Sequence, residues 1–219
     1  MKLISTEHGQ ALLLFIAEEV RPTSGVYLPD VLSVIAERYS FVTLPNIQDA
    51  LREGAKFGQG RFVDKGRTIE IKTMGLFSDG VLVTTYNTND AITVLDDMMS
   101  WVTERFGFRQ PLTLRPRQLA SSVIVEFKNS LDNALEAFQT LKTAFSGALH
   151  THYGWSVEIE TSRVVVACDP TKLPPQRTAE LIIERRTGMP FSQNRYFSAA
   201  PLSTESHLDL LEGFERLLI

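Results

Sequence analysis

The stretch RTIEIKTMGLFSDGVLVTTY, residues 67–86, decides the fold. Its two arms, Arg67 to Phe77 and Val81 to Tyr86, are rich in β-branched and aromatic residues, and Asp79-Gly80 between them supplies the positive-φ positions of a tight hairpin turn. An antiparallel pair is therefore predicted near the middle of the chain. Directly after it, Asn87 to Asn89 offers helix caps, and Ile92, Leu95, Met99, Val102 and Phe106 form an apolar stripe that ends at Gly107. A long helix follows the hairpin and covers one of its faces.

Toward the N-terminus the period is helical. Glu7 to Val20 places Ala11, Leu14 and Phe15 at three- and four-residue spacing before Arg21-Pro22, although Leu12 to Ile16 also suits a buried strand. Leu28, Val31, Leu32, Ile35, Ala36 and Tyr39 define one apolar face, with Pro29 in a first turn that tolerates proline. A shorter helix, about Pro45 to Lys56, is expected to bury Ile47, Ala50 and Leu51 before Gly54, Gly58 and Gly60 stop it.

Toward the C-terminus, Phe108 to Gln118 carries two prolines and three arginines without an apolar period and reads as a connector. Ser121 to Phe127 then reads as a strand. Ser130 caps a helix whose face holds Leu131, Ala134, Leu135, Phe138, Leu141 and Phe145 and which ends at Gly147. Strands over about Trp155 to Cys168, broken near Ser162, and over Ala179 to Arg186 flank a loop at Pro170 to Gln176. A last helix starts near Ser203, with Leu208, Leu211, Phe214 and Leu218 inward and His207 at the border. Hairpin-then-helix thus occurs twice, at Arg67 to Phe106 and at Trp155 to Leu218.

The fold class expected is α+β, a two-layer sandwich of mostly antiparallel sheet covered by helices, with an N-terminal helical segment. The divisions are 1–57, helical; 58–110, hairpin plus long helix; and 119–219, a β-α-β-β-α half packing on the same sheet or standing as a second small domain.

Composition narrows the function. Of 219 residues, 43% are hydrophobic and 22% charged, which excludes wholesale disorder. The net charge is −4, and the two halves, split at Gln110, carry 11 basic with 14 acidic and 11 with 12 residues, so neither is a hidden basic module. A single cysteine, Cys168, excludes an internal disulfide and fits a reducing cytoplasm. The longest apolar run, Ala11 to Ala17, is far below the ~20 residues that span a bilayer.

Each catalytic constellation is incomplete. His150-x-His152 puts two imidazoles on one side of an extended segment, with Cys168 and Asp169 downstream, but no third ligand stands nearby. Cys168 ends the run Val164 to Ala167, where a thiol behaves as a small hydrophobe. No Gly-x-Ser-x-Gly elbow occurs. Gly58 and Gly60, flanked by Lys56 and Arg61, follow a helix and read as a connector in preference to a phosphate cradle. Asp96-Asp97, and Asp90, Asp97 and Glu104 at heptad spacing, describe a solvated acidic helix face. No catalytic residue, metal site or cofactor is assigned.

The least ordinary stretch, Glu184 to Phe197, combines three arginines, two amides and three aromatic rings around Gly188 and Pro190. Arg185, Arg186, Asn194, Arg195 and Tyr196 are the candidate partner- or anion-binding residues, because guanidinium forks and rings on an anchored loop suit recognition. The plainer alternative buries the rings and pairs the arginines with Glu180, Glu184 or Glu205.

The leading expectation is a non-catalytic cytoplasmic binding or adaptor protein, working through contacts with a protein partner or with its own copy. One alternative is a nucleic-acid-binding regulator, since three helices before a hairpin is the order of a winged helix; Arg52, Lys56, Arg61, Lys65 and Arg67 would contact phosphates. A third is a module that binds a small apolar ligand between sheet and helices, lined from the chain's 13 phenylalanines.

Overall fold

The computed structural model describes residues 1–22, 25–111, 117–131, 136–157, 159–167 and 180–218, with side chains at all of these except 136–139 and 152. The expectations placed on Ala134, Leu135, Cys168, Asp169, the Pro170 to Gln176 loop and Ala179, and on the side chains of Phe138 and His152, lie outside the described residues. The chain is α+β with antiparallel strands. Its elements are β1 (Lys2–Leu14), α1 (Ala17–Val20), α2 (Leu28–Arg38), α3 (Ile47–Glu53), β2 (Ala55–Asp64), β3 (Arg67–Phe77), β4 (Gly80–Thr85), α4 (Thr88–Phe106), β5 (Gln118–Glu126), α5 (Glu136–Tyr153), β6 (Arg163–Val166), β7 (Leu181–Arg185), β8 (Arg195–Ala200) and α6 (Thr204–Glu215).

Two compact units form. One holds Glu7–Ser121 with Leu202–Thr204; the other holds Met1–Thr6, Ser122–Pro201 and Glu205–Ile219. In the first, the strands lie in the order β2-β3-β4-β1, antiparallel throughout. In the second, the order is β5-β8-β7-β6. Each set therefore brings its first strand beside its last, and each set ends in a helix. The repeated hairpin-then-helix is part of a larger repeated plan of strand, helix, three strands and helix, with α1, α2 and α3 together occupying the place that α5 has in the other half.

The central hairpin is present, but its turn differs from expectation. Pairing of Phe77 with Gly80 makes Ser78-Asp79 the two-residue turn, and neither has positive φ. Gly80 is needed for another reason: a Cβ there would lie 2.8 Å from the Leu13 carbonyl oxygen, so only glycine lets β1 approach β4. The left-handed pair sits one hairpin earlier, at Lys65 (φ 48°) and Gly66 (φ 83°), which join β2 to β3 through a mirror-image turn whose twist matches the strands.

The expected first helix is a strand. Residues 9–14 pair with β4, Ala11 opposite Val83 and Leu13 opposite Val81, and only Ala17–Val20 is helical. Alternation at Gly9, Ala11 and Leu13 outweighs the three- and four-residue spacing because β4 offers a partner ladder that a helix forgoes. The N-terminal segment is thus mixed. The glycine-bearing stretch 56–61, expected as a connector, is likewise inside β2, opposite β3.

α4 matches its reading closely. Asn87 Oδ1 accepts from Asp90 N at 2.9 Å, and Gly107, left-handed at φ 69°, donates its N–H to Thr103 O. Its buried face, including Val94, Leu95 and Met98, packs in one core with Ile69, Ile71, Met74 and Val83 of the strands and with Val31 and Ile35 of α2. The other unit has its own core around Val123, Val125, Phe127, Ile183, Tyr196 and Leu211. There α5 runs on through Gly147, whose surroundings are open, to Tyr153, and of the strand expected over Trp155 to Cys168 the described residues show Arg163–Val166.

Candidate functional site

Between the strands and helices of the Glu7–Ser121 unit lies a cavity of about 580 Å³. α2 contributes Leu28, Val31, Leu32 and Ile35, while α4 contributes Met98, Met99 and Val102. Strand ends supply Phe15, Leu76, Phe77 and Val81. Small residues Ala17, Ala50, Gly54 and Ala55 stand where larger ones would have closed the space. The lining is chiefly aliphatic, with Phe15, Phe77 and Phe108 its only phenylalanines, so the aromatic lining expected from composition is not what forms.

A hollow of this size is not a packing defect. Natural cores leave few voids larger than a water molecule. At ~24 cal/mol per Å³, a dry void this large would cost on the order of 14 kcal/mol, which matches or exceeds the whole stability of an ordinary domain. The space is therefore accessible, and its rim includes Leu51 and Leu28, which are 69% and 37% exposed. It falls in the ~300–1,000 Å³ range of small-molecule sites. The charged side chains along its lining are Arg21, Arg52 and Arg109, with Glu53 and Asp79.

The arginine-rich stretch forms no open binding loop. Arg185 and Tyr196 are register partners on β7 and β8. The Arg185 side chain is buried, pairs with Glu160, donates to Ser130 Oγ and to Phe191 O, and lies over the Phe191 and Tyr196 rings. Tyr196 is fully buried, and its hydroxyl accepts from Leu131 N. Arg195 pairs with Glu126 at 3.1 Å. Asn194, left-handed at φ 46°, ends a short 3₁₀ turn, and its carbonyl accepts from Phe127 N. Only Arg186 stands exposed, its backbone N–H bonded to Arg195 O. The plainer alternative describes the geometry, with Glu160 and Glu126 as the acids in place of Glu180, Glu184 and Glu205.

The alternative basic set does not gather on one helix. Arg52 ends α3, Lys56 and Arg61 lie on β2, Lys65 is in the turn, and Arg67 pairs with Asp90 at 2.6 Å. Three helices do precede the β2–β3 hairpin, but the first is only Ala17–Val20, and β1 comes before them and pairs with β4.

The acidic face of α4 is not free either. Asp97 accepts from Arg38 Nη2 at 2.8 and 3.0 Å, from Arg38 Nε at 3.1 Å and from Tyr39 Oη at 2.6 Å; Asp96 pairs with Arg117. Burial, then the Asp97 carboxylate, raises the Tyr39 phenol's pKa well above its usual value, so it stays protonated. These contacts tie α2 to α4.

His150 lies within α5, where residues two apart do not face each other, so the extended two-imidazole arrangement is corrected. Among the described residues no three His, Cys, Asp or Glu side chains gather as a metal site. His207, expected at a helix border, is fully buried, with Nε2 2.9 Å from Ser198 Oγ. The Ser198 hydroxyl donates to Ile182 O at 2.7 Å, so its proton is committed there and Nε2–H faces its lone pair. Burial lowers the His207 pKa to about 4. This Ser–His pair is a packing element, its hydroxyl held by the backbone and closed to solvent.

No family model matches the chain, and no curated protein matches it. A solved structure, Methanococcus jannaschii TBP, aligns with 98% of this chain and 96% of its own at 8% identity and a TM-score of 0.41, a likeness too slight to carry an argument. Among the described residues no helix is long and apolar enough to cross a membrane.

Proposed function

We propose that this chain is a non-catalytic binding protein whose Glu7–Ser121 unit takes a small apolar ligand between its strands and helices. The observation that supports this is the 580 Å³ cavity with chiefly aliphatic walls, set beside a core of buried apolar residues. Walls of this kind hold water poorly and favour hydrocarbon. Ligand burial against chiefly aliphatic walls suits carriage or sensing in preference to turnover.

Native mass spectrometry of the full chain tests it by detecting retained ligand, alongside titration with anilinonaphthalene sulfonate. Met98→Trp and Ala50→Phe, each adding bulk to the lining, are expected to weaken probe binding at least tenfold (about 1.4 kcal/mol) while leaving the fold intact. Equal binding by the folded variants would refute the assignment.

Protein association is a second reading, now placed on a different surface. On α5, Leu141 and Phe145 are 62% and 53% exposed although the sequence pattern set them inward, and Tyr153 stacks on exposed Trp155 at 5.0 Å. Exposed apolar residues at four-residue spacing on one helix suit a partner helix or a second copy.

A further inference from the structure

We infer that the cavity's ligand is an anionic amphiphile, a single hydrocarbon chain ending in a carboxylate, whose head is held at the mouth by Arg21 and Arg109. This inference rests on the cavity reading above. Both arginines line the cavity, and Arg109 N donates to Val20 O, so one backbone contact brings the main chain of Arg109 next to the residue before Arg21. Arg21 has a long 3.8 Å contact with Glu18, both side chains well exposed, which is worth little and readily exchanged. No ion pair with a described residue holds Arg109 or Arg52.

Position at the cavity is what points to a ligand: Arg61, Arg105, Arg186 and Arg216 likewise have no ion pair with a described residue, but none of those four lines the cavity. Arg38, Arg67, Arg117, Arg163, Arg185 and Arg195 are each paired with a carboxylate of their own unit. Glu53 and Asp79 also line the cavity, beside Arg21, Arg52 and Arg109. Asp79 is anchored in the Ser78-Asp79 turn, where its carbonyl accepts from Phe15 N, whereas Arg21 and Arg109 lie on the 20–22 and 108–111 segments outside the strands. A guanidinium pair matches the fork of a carboxylate, and the aliphatic walls match a chain.

Calorimetric titration of the full chain, with decanoate, decanol and decyltrimethylammonium below their micelle concentrations, tests the head group; octanoate and dodecanoate test the chain. Decanoate is expected to bind about tenfold more tightly than decanol. Arg21→Gln with Arg109→Gln should remove that preference and leave decanol unchanged. Affinity should rise about fourfold per added methylene, the effect of burying each one. Equal decanoate and decanol affinities, tighter binding of the cation, or a carboxylate preference without chain-length dependence would each overturn the anionic amphiphile while decanol binding sustains the cavity. Failure of all three probes would instead remove the cavity reading itself.

Discussion

Acidification should destabilise the protein through His207. In the folded chain its imidazole is fully buried against Ser198, and burial lowers its pKa from 6.5 to about 4. The unfolded chain therefore binds the proton more readily, and between those two values stability rises with pH and falls as pH drops. From the two pKa values, lowering the pH from about 7.5 to about 5 costs about 2 kcal/mol, approaching about 3 kcal/mol below the folded pKa. His207→Gln removes the titration yet keeps an N–H donor for Ser198, so the comparison isolates the ring from the carboxylates that titrate in both proteins. Urea denaturation of wild type and variant, followed across this pH range, is the assay. The wild type should lose about 2 kcal/mol more than the variant by about pH 5. Parallel curves would refute the assignment of a neutral, desolvated imidazole.

Two further outcomes follow from the packing. Gly9→Ala places a Cβ 2.0 Å from the Asn87 carbonyl carbon, a backbone contact at the start of α4 that cannot rotate away, so a loss of at least about 3 kcal/mol in urea melts is expected; a loss below about 1 kcal/mol would show that β1 and α4 are easily separated. Leu141→Glu with Phe145→Glu should leave stability within about 0.5 kcal/mol, since both are exposed, while reducing any self-association seen by light scattering; a folded monomer for both wild type and variant would remove self-association through α5.

Legibility in the sequence followed how local each determinant is. α4 is legible because its caps, among Asn87 to Asn89 and at Gly107, flank the apolar stripe directly. The β3–β4 hairpin was equally plain, but Gly80 carried a misleading signal: its glycine answers a contact with Leu13 that is 67 positions away, not the turn beside it. β1 was lost for the same reason, since its strand character comes from β4. The candidate site was less legible still. Arg21 stood out only as part of a helix stop and Arg109 only as part of a connector, because a cavity is made of side chains that fail to fill space, and no single segment encodes that. His207 was placed at a border since the α6 stripe gave no sign that β8 would cover it.

The arginines show how closeness in sequence differs from availability in the fold. A local cluster such as 185–195 attracts notice because its charges are close in sequence, yet its Arg185 and Arg195 sit on β7 and β8, where glutamates at 160 and 126 reach them from neighbouring segments. A buried guanidinium must be matched by acid within its own fold, since leaving it unpaired costs several kcal/mol. Structural arginines are for that reason satisfied by the protein itself. An arginine available to an outside anion has to remain near solvent, next to a surface that excludes water only once the ligand arrives. Arg21 and Arg109 meet that condition beside the aliphatic cavity, so the direct test of the proposed function is what occupies the cavity.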